Sequence, residues 1–306
     1  MPRVIVIGAG VVGLSCAVRL MERGHEVSVV ARDLPLETTS AVAAALWYPH
    51  RIYPFERVAA WSATTYAELA RLSEDERTGI VMRRGTELLH GPAPRPWWAD
   101  AVPHLEQVAP PRPGYDAAWT FTAPVVEMQV YLPWLVARLE ALGGTITRMA
   151  LSGLPDLADV VVDAAGLGAR LFAQDGAVVP VRGQVVLVEQ TGIEEWLLDG
   201  SGPTYVVPRS RDVVVGGTDE EGSWDRTVDE AAAKEILARA RELVPGLRGA
   251  KVLGHRVGLR PARPSVRLEA TTGAGGRRVV HCYGHGGAGV TVSWGCADEV
   301  ADLVGA

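Results

Sequence analysis

The sequence predicts an α/β fold with a parallel β-α-β half and a second part built on a mixed or antiparallel sheet. Three observations predict it. The β-branched run Val4-Ile5-Val6-Ile7 breaks at Gly8-Ala9-Gly10-Val11-Val12-Gly13. Leu14, Ala17, Val18 and Met21 then recur at helical spacing until Gly24, and a second apolar run, Val27-Ser28-Val29-Val30-Ala31, follows at once. Beyond residue 180 the pattern changes to short alternating runs separated by turn residues.

Composition narrows the classes. With 306 residues, 48% apolar and 22% charged, the chain has room for one large or two ordinary domains and is too apolar to be disordered. Thirty basic against 36 acidic side chains give a net charge of −6. No Lys/Arg run is long enough to track phosphates, so nucleic acid is not an expected partner. Apolar runs fall far short of the ~20 residues of a membrane span, and the N-terminus opens directly into a strand instead of a signal peptide. The chain ends in Leu303-Val304-Gly305-Ala306, not in a peroxisomal S-K-L. A cytoplasmic location is therefore expected. Cys16, Cys282 and Cys296 form no C-x-x-C pair and no metal-ligand spacing, which points to reduced, buried thiols and no metal.

The strand–turn–helix–strand order makes the first unit Rossmann-like, with Gly8 for the tight turn, Gly10 for close approach of a pyrophosphate and Gly13 for helix–strand packing. An acid about 20 residues beyond the glycines normally meets the adenosine ribose. That region reads Ala31-Arg32-Asp33. Arg32 suits a 2′-phosphate, so NADP and FAD both stay open and plain NAD is less favoured. Thr38-Thr39-Ser40 is followed by small residues up to Leu46-Trp47. This allows close approach of a ligand; the alternative is a capped, Ala-rich helix.

Residues 61–72 carry a helical pattern, whereas the prolines crowding 91–113 predict irregular surface structure. Residues 131–142 form an amphipathic helix stopped by Gly143-Gly144, and Ile146 starts a short strand. Asp159-Val160-Val161-Val162-Asp163 is apolar and runs into Ala164-Ala165-Gly166, as a strand of the first sheet ending where a flat cofactor would lie. Residues 181–188, 204–208 and 212–217 read as antiparallel strands, and 231–244 as a helix ended by Pro245. The last stretch, His281 to Thr291, places Gly284, Gly286, Gly287 and Gly289 before a short apolar helix. Such a second nest of backbone donors is needed by a flavin covered from another part of the chain, and not by a coenzyme held in the first unit alone.

The glycine turn, the Thr38–Trp47 segment, the run Val257-Gly258-Leu259-Arg260-Pro261-Ala262-Arg263-Pro264 and Tyr283-Gly284-His285-Gly286-Gly287 follow in order. On these motifs the chain resembles the D-amino-acid oxidase and D-aspartate oxidase family over nearly its whole length. The resemblance implies FAD as cofactor. It implies a Rossmann-like FAD-binding domain assembled from residues 1–56, 145–185 and 255–306. The remaining residues, 57–144 and 186–254, make an α+β substrate domain on a large twisted mixed or antiparallel sheet. FAD-contacting positions fall on Gly8, Gly10, Val11, Val12, Gly13, Arg32, Asp33, Thr38, Thr39, Ser40, Ala44, Ala45, Leu46 and Gly166, and on Gly286, Gly287, Ala288, Gly289, Val290 and Thr291. Arg260 falls on the arginine that binds the substrate α-carboxylate, Tyr205 on the tyrosine that bonds the same group, and Gly287 on the glycine whose carbonyl accepts from the amine. The chemistry agrees, because a guanidinium grips a carboxylate bidentately and a phenol adds a donor.

The resemblance also implies the reaction: hydride passes from Cα to flavin N5 with no side-chain base, and FAD passes electrons to O2, giving H2O2. The imino acid then hydrolyses to a 2-oxo acid and ammonia. His285 is expected to hold its loop, and Arg263 and Arg267 to form ion pairs. The departures concern the substrate. Asp199-Gly200-Ser201-Gly202-Pro203 is short where vertebrate D-amino-acid oxidases carry a longer lid with an extra tyrosine, so access is more open. Ala288 stands where those relatives often carry a bulkier residue, and Cys282 at a place commonly polar. His50, after Pro49 and placed with the substrate residues, is similar to the D-aspartate branch. However, Asp219 and Glu220 stand where that branch tends to supply an arginine, and a second carboxylate would meet like charge. Neutral or bulky D-amino acids are the expected substrates of a monomer or homodimer. D-aspartate oxidation and oxidation of glycine or N-methyl amino acids are the alternatives, followed by an NADP-dependent reductase and a flavin-bound sensor without turnover.

Overall fold

β1 (Arg3–Ile7), α1 (Val11–Glu22) and β2 (Glu26–Ala31) form the expected βαβ unit, the two strands running parallel with Ile7 opposite Val30. The computed structural model describes residues 2–155 and 158–305; Ala306, the last residue of the C-terminal tetrapeptide, lies outside them. Leu14, Ala17 and Val18, the apolar face of α1, are fully buried, which is why the 3.6-residue period was readable there.

The alternative of an Ala-rich helix after Thr38 is not what forms. A single 3-10 turn covers Thr39–Val42, and the chain then runs extended. Ala45 sits at φ +55°, outside the right-handed helical region, and its carbonyl accepts from Val126 N–H at 3.0 Å. Tertiary pairing thus overrides the local propensity of alanine. α2 (Phe55–Leu72) starts six residues before the expected 61, because Phe55 and Glu56 are exposed and carry no apolar period. β3 (Ile80–Leu89) follows. In the proline-rich stretch a short strand, β4 (Leu105–Val108), corrects the expectation of wholly irregular structure; it pairs with β5 (Ala117–Val126).

α3 (Met128–Ala141), β6 (Thr145–Arg148), β7 (Val160–Asp163) and the short α4 (Ala169–Phe172) come next. β8 (Val179–Glu189), β9 (Trp196–Asp199), β10 (Tyr205–Pro208), β11 (Asp212–Gly216) and β12 (Glu220–Glu221) supply most of the antiparallel part. α5 (Glu230–Leu243) begins at Asp229, whose carboxylate accepts from the N–H groups of Ala231 and Ala232. β13 (Val252–Thr272), β14 (Arg278–His285) and α6 (Gly289–Gly305) complete the chain. The closing helix is 17 residues long, not short as expected, since Val292, Cys296, Val300 and Val304 extend its buried face to the end.

Among the described residues the strands join in one sheet, ordered β4-β5-β3-β9-β10-β11-β8-β13-β14-β7-β1-β2-β6, with β12 beside β8. From β6 to β14 the neighbours are parallel. From β14 to β9, and again from β3 to β4, they are antiparallel. This is the α/β class expected, with a mixed, largely antiparallel half. β13 joins the two halves: Leu259 pairs with Arg182 of β8, Leu268 pairs with Cys282 of β14, and the register shifts between Ala262 and Arg267. Residues 258–262 therefore lie on the seam. α6 packs against α1 and α2; a methyl on Gly295 would stand 2.4 Å from the Trp61 backbone. No described helix is long and apolar enough to cross a membrane.

Candidate active site

The glycines of the first turn are there for space. A Cβ on Gly8, at φ +110°, would stand 2.5 Å from the Ala164 carbonyl oxygen, and one on Gly13 would stand 2.0 Å from the Gly8 oxygen. Gly10 caps α1 without a side chain, and its missing Cβ would lie 3.1 Å from Ser40 Oγ. Ser40 instead accepts from Val11 N–H at 3.0 Å, and the helical ladder starts with Leu14 N–H on the Gly10 carbonyl.

The second glycine cluster lies beside the first. A Cβ on Gly289, at the start of α6, would touch Val12 and Val11 at 3.7 and 4.0 Å, so two helix N-termini come together. Each carries the positive end of a helix dipole and backbone donors outside the ladder. Gly286 (φ +55°) has nothing within 4 Å of its Cβ position, and its N–H donates to the Pro261 carbonyl at 2.9 Å. A Cβ on Gly287 would stand 3.4 Å from Arg260 Cδ. A Cβ on Gly166 (φ +58°) would stand 3.6 Å from Pro261. Thr39 Oγ1 donates to the Leu259 carbonyl at 3.0 Å, and Gly258 touches Val42.

These contacts close a ring, from Val11 through Ser40 and Thr39 to Leu259 and Arg260, then through Gly287 and Gly289 back to Val11. Backbone donors at two helix N-termini and bare glycine surface fit a flat dinucleotide with a pyrophosphate.

Other sequence-predicted positions have narrower partners. Arg32 and Asp33 grip each other bidentately at 2.6 and 3.0 Å, and the guanidinium holds the Asp33 carboxyl below the usual carboxylate range. A 2′-phosphate would have to compete with that carboxylate. Thr38 donates to the Pro35 carbonyl, Leu46 bridges to Val125, Ala44 is buried, and Thr291 Oγ1 donates to the Tyr48 carbonyl. Ala288 and Val290 are buried at the start of α6. Arg263 and Arg267 form the expected ion pairs, with Asp175 and Glu269.

From its place in the ring, Arg260 leaves the seam and crosses Gly183 of β8, where a Cβ would lie 2.3–2.6 Å from the guanidinium. Nη1 donates to the Thr218 carbonyl at 3.0 Å and to Asp219 Oδ1 at 3.2 Å. Tyr205 pairs with Gly216 across β10 and β11, and its ring fills the space over that glycine: a Cβ there would meet Cζ at 2.0 Å. Burial pushes the Tyr205 hydroxyl up, opposed by the neighbouring Arg260 charge and its hydrogen bond, so the phenol keeps its proton. His50 stands near Arg51, Asp219 and Arg260, with desolvation and then the Arg51 charge lowering its proton affinity. The structure thus brings Tyr205, Arg260, Gly287 and His50 to one place.

Several neighbours had no assigned role in the sequence reading. Gly183 and Gly216 make room for the two side chains; glycine in the middle of a strand is the available signal. Arg51, paired with Asp219, carries no signal, because its partner is 168 residues away. The three cysteines also converge: Cys282 Sγ, Cys296 Sγ and His285 Nε2 lie within 4.8 Å of one another, and Cys16 adjoins Cys282. Burial holds Cys296 above its ordinary value and His285 down to about 4, so both stay neutral. A cavity of about 480 Å³ between Arg95 and Glu106 shares no residue with the ring.

A parallel sheet with glycine-lined helix N-termini, sewn by one long strand to an antiparallel platform carrying an arginine–tyrosine pair, defines a dinucleotide-dependent oxidoreductase. The chain belongs to the FAD-dependent oxidoreductase family, whose model matches residues 3–303; FAD is its cofactor, and the residues of the ring fit it. It is 50% identical to the D-amino-acid oxidase of Rubrobacter xylanophilus, over 99% of this chain and 96% of the relative. It is 38% identical to the human D-aspartate oxidase, over 99% and 94%. In fold it matches the crystal structure of glycine oxidase from Geobacillus kaustophilus with a TM-score of 0.84 at 20% identity, covering 100% of this chain and 95% of that one.

Proposed function

We propose that the protein oxidises D-amino acids with neutral or bulky side chains to 2-oxo acids, ammonia and H2O2. The observation that carries this reading is the Arg260 guanidinium, held over Gly183 beside Tyr205 and Gly287 next to the glycine ring. Arg260 binds the α-carboxylate by charge-assisted hydrogen bonds, and the protonated Tyr205 hydroxyl adds a donor. The Gly287 carbonyl accepts from the substrate amine and so fixes which face of Cα meets the ring of glycines. When bound, FAD supplies the acceptor for the hydride from Cα and returns the electron pair to O2 as H2O2.

No side chain has to remove the Cα hydrogen, since it leaves with its electron pair. The protein's contribution is positioning and a fixed positive field for the carboxylate. The imine released hydrolyses in water. The cofactor is held by the turn Gly8–Gly13, with Val11 and Val12, by Arg32 and Asp33, and by Thr38, Thr39, Ser40, Ala44, Ala45 and Leu46. Gly166 and residues 286–291 complete its site. We assign residues 1–56, 145–185 and 255–306 to an FAD-binding domain and the rest to a substrate domain. Three buried, unpaired thiols are in keeping with a reducing, cytoplasmic location.

One observation favours a second reading, D-aspartate oxidation: Arg51 provides another guanidinium next to Arg260, suited to a second carboxylate. The test is peroxide formation by the holoenzyme on paired D- and L-alanine, D- and L-valine, D-aspartate, glycine and sarcosine. D-alanine or D-valine should be oxidised and the L-enantiomers left. Arg260→Ala should keep the flavin spectrum and raise KM about 100-fold, the scale of losing one partner of a charged hydrogen-bonded pair. Preference for L-enantiomers, or loss of FAD with unchanged KM, would overturn the reading.

A further inference from the structure

Asp219 is, among the described residues, the one acidic side chain that touches Arg260: Oδ1 accepts from Arg260 Nη1 at 3.2 Å, while Oδ2 accepts from Arg51 Nη1. The adjacent acid, Glu220, turns away to Arg182 on β8. The two acids that follow Gly216-Gly217-Thr218 therefore do different things. Glu220 ties down the chain, and Asp219 sits between two guanidiniums that converge from β13 and from the segment before α2.

We propose that Asp219 sets the side-chain class of the substrate by neutralising Arg51, which would otherwise serve as receptor for a second, side-chain carboxylate. This rests on the D-amino-acid oxidase reading and deepens it. Charge counting gives the reason. Arg51, Arg260 and Asp219 sum to one net positive charge, and His50 adds none in its neutral form. A D-amino acid with an uncharged side chain and a neutral amine brings one negative charge and balances the site. D-aspartate or D-glutamate brings two, and its second carboxylate must displace Asp219 from Arg51.

The contact is a built one. Arg51 has its backbone at φ +45°, in the left-handed region that a residue with a Cβ occupies only at a cost and keeps where its surroundings hold it. Thr218, next to Asp219, is anchored through its Oγ1, which accepts from Gln184 N–H at 3.0 Å, and through its carbonyl on Arg260. The carboxylate is thus delivered to the gap by a segment fixed on both β8 and β13. Side-chain exposure is 31% for Asp219 and 23% for Arg260 but 68% for Arg51, so water screens the Arg51 end of the contact more than the Arg260 end.

Asp219→Asn keeps the shape and removes the charge. In the holoenzyme it should raise kcat/KM for D-aspartate and D-glutamate relative to D-valine by about two- to fivefold, the scale of one largely exposed ion pair. Titration of the flavin absorbance with malonate and with propionate gives a readout that needs no turnover. The ratio of their dissociation constants should shift toward malonate by a similar factor, and adding Arg51→Ala should abolish that shift. Asp219→Ala serves as a second variant with the same expected direction. An unchanged dicarboxylate-to-monocarboxylate ratio in both Asp219 variants, or a gain that survives Arg51→Ala, would overturn the inference. Wild-type enzyme that oxidises no D-amino acid would instead overturn the functional reading beneath it.

Discussion

The guanidinium of Arg260 rests against the bare Cα of Gly183: a methyl at 183 would stand 2.3 Å from Nη2 and 2.4 Å from Cζ. The obstructed atoms are the far end of a flexible side chain, and Gly183 sits at an ordinary strand position on β8. Gly183→Ala should therefore fold normally with Arg260 turned off its seat. Since a misplacement of about 1 Å costs up to about 100-fold in rate, kcat/KM for a D-amino acid should fall by about 10- to 100-fold. The melting temperature should stay within a few degrees of wild type. A melt and a steady-state assay on the same preparation check it, and unchanged kinetics would mean that Arg260 does not use this seat.

Tyr205 and Gly216 give a contrasting case. A methyl on Gly216 would meet Tyr205 Cζ at 2.0 Å, and the ring is stiff and fixed by the Tyr205–Gly216 strand pairing. Gly216→Ala should cost about 1–3 kcal/mol of stability through overpacking, along with substrate binding. Tyr205→Phe removes only a hydroxyl. Its effect should be the loss of one hydrogen bond, about 0.5–1.5 kcal/mol, seen in KM with the melt unchanged. Equal melts for the two variants would show that the ring has room to move.

The first βαβ unit was legible because each of its signals is local: β-branched runs, a helical period and glycines whose missing Cβ atoms clear neighbours in the same unit or just beyond β7. The strands β3 and β5 were not: Ala117 to Val126 is largely covered on both faces and shows no alternation, and β3 interrupts its apolar positions with Arg83, Arg84 and Gly85. β13 was read only as a motif around Arg260, because its 21 residues mix charged and apolar positions while pairing with two different strands. The same limit applies at the site. Arg260 and Tyr205 came from resemblance, whereas the Arg51–Asp219 contact depends on a fold that joins residues 168 apart.

Arg182 is one such unsignalled residue. Its buried guanidinium donates to Glu220 Oε1, to Gln184 Oε1 and to the carbonyls of Asp225 and Thr227. It is the inner anchor of the segment that carries Asp219. Arg182→Ala takes the donor from Glu220 Oε1 and from the carbonyls of Asp225 and Thr227, while Gln184 Oε1 keeps the Asp229 N–H, and should destabilise the protein by about 2 kcal/mol. Amide exchange in residues 218–228 should accelerate more than in α1. Uniform acceleration over both would show global loosening without the local anchoring.

His285 predicts an acid limit of stability. Its ring is buried against the sulfur atoms of Cys282 and Cys296, and burial pulls its pKa from 6.5 to about 4. The folded state thus holds the ring neutral through a range where the unfolded chain protonates it. The sign follows: stability from the neutral ring is complete above pH 6.5 and is lost as pH falls toward the folded value near 4. A shift of this size corresponds to about 3 kcal/mol by linkage. Carboxylates titrate in the same window, so the informative quantity is a difference between proteins. His285→Gln, which cannot take up the proton, should be less stable than wild type at pH 7.5 because of its altered packing. It should also lose less stability than wild type between pH 6.5 and pH 4.5. Urea unfolding at both pH values measures this, and parallel losses in the two proteins would show that the ring does not stay neutral inside the fold.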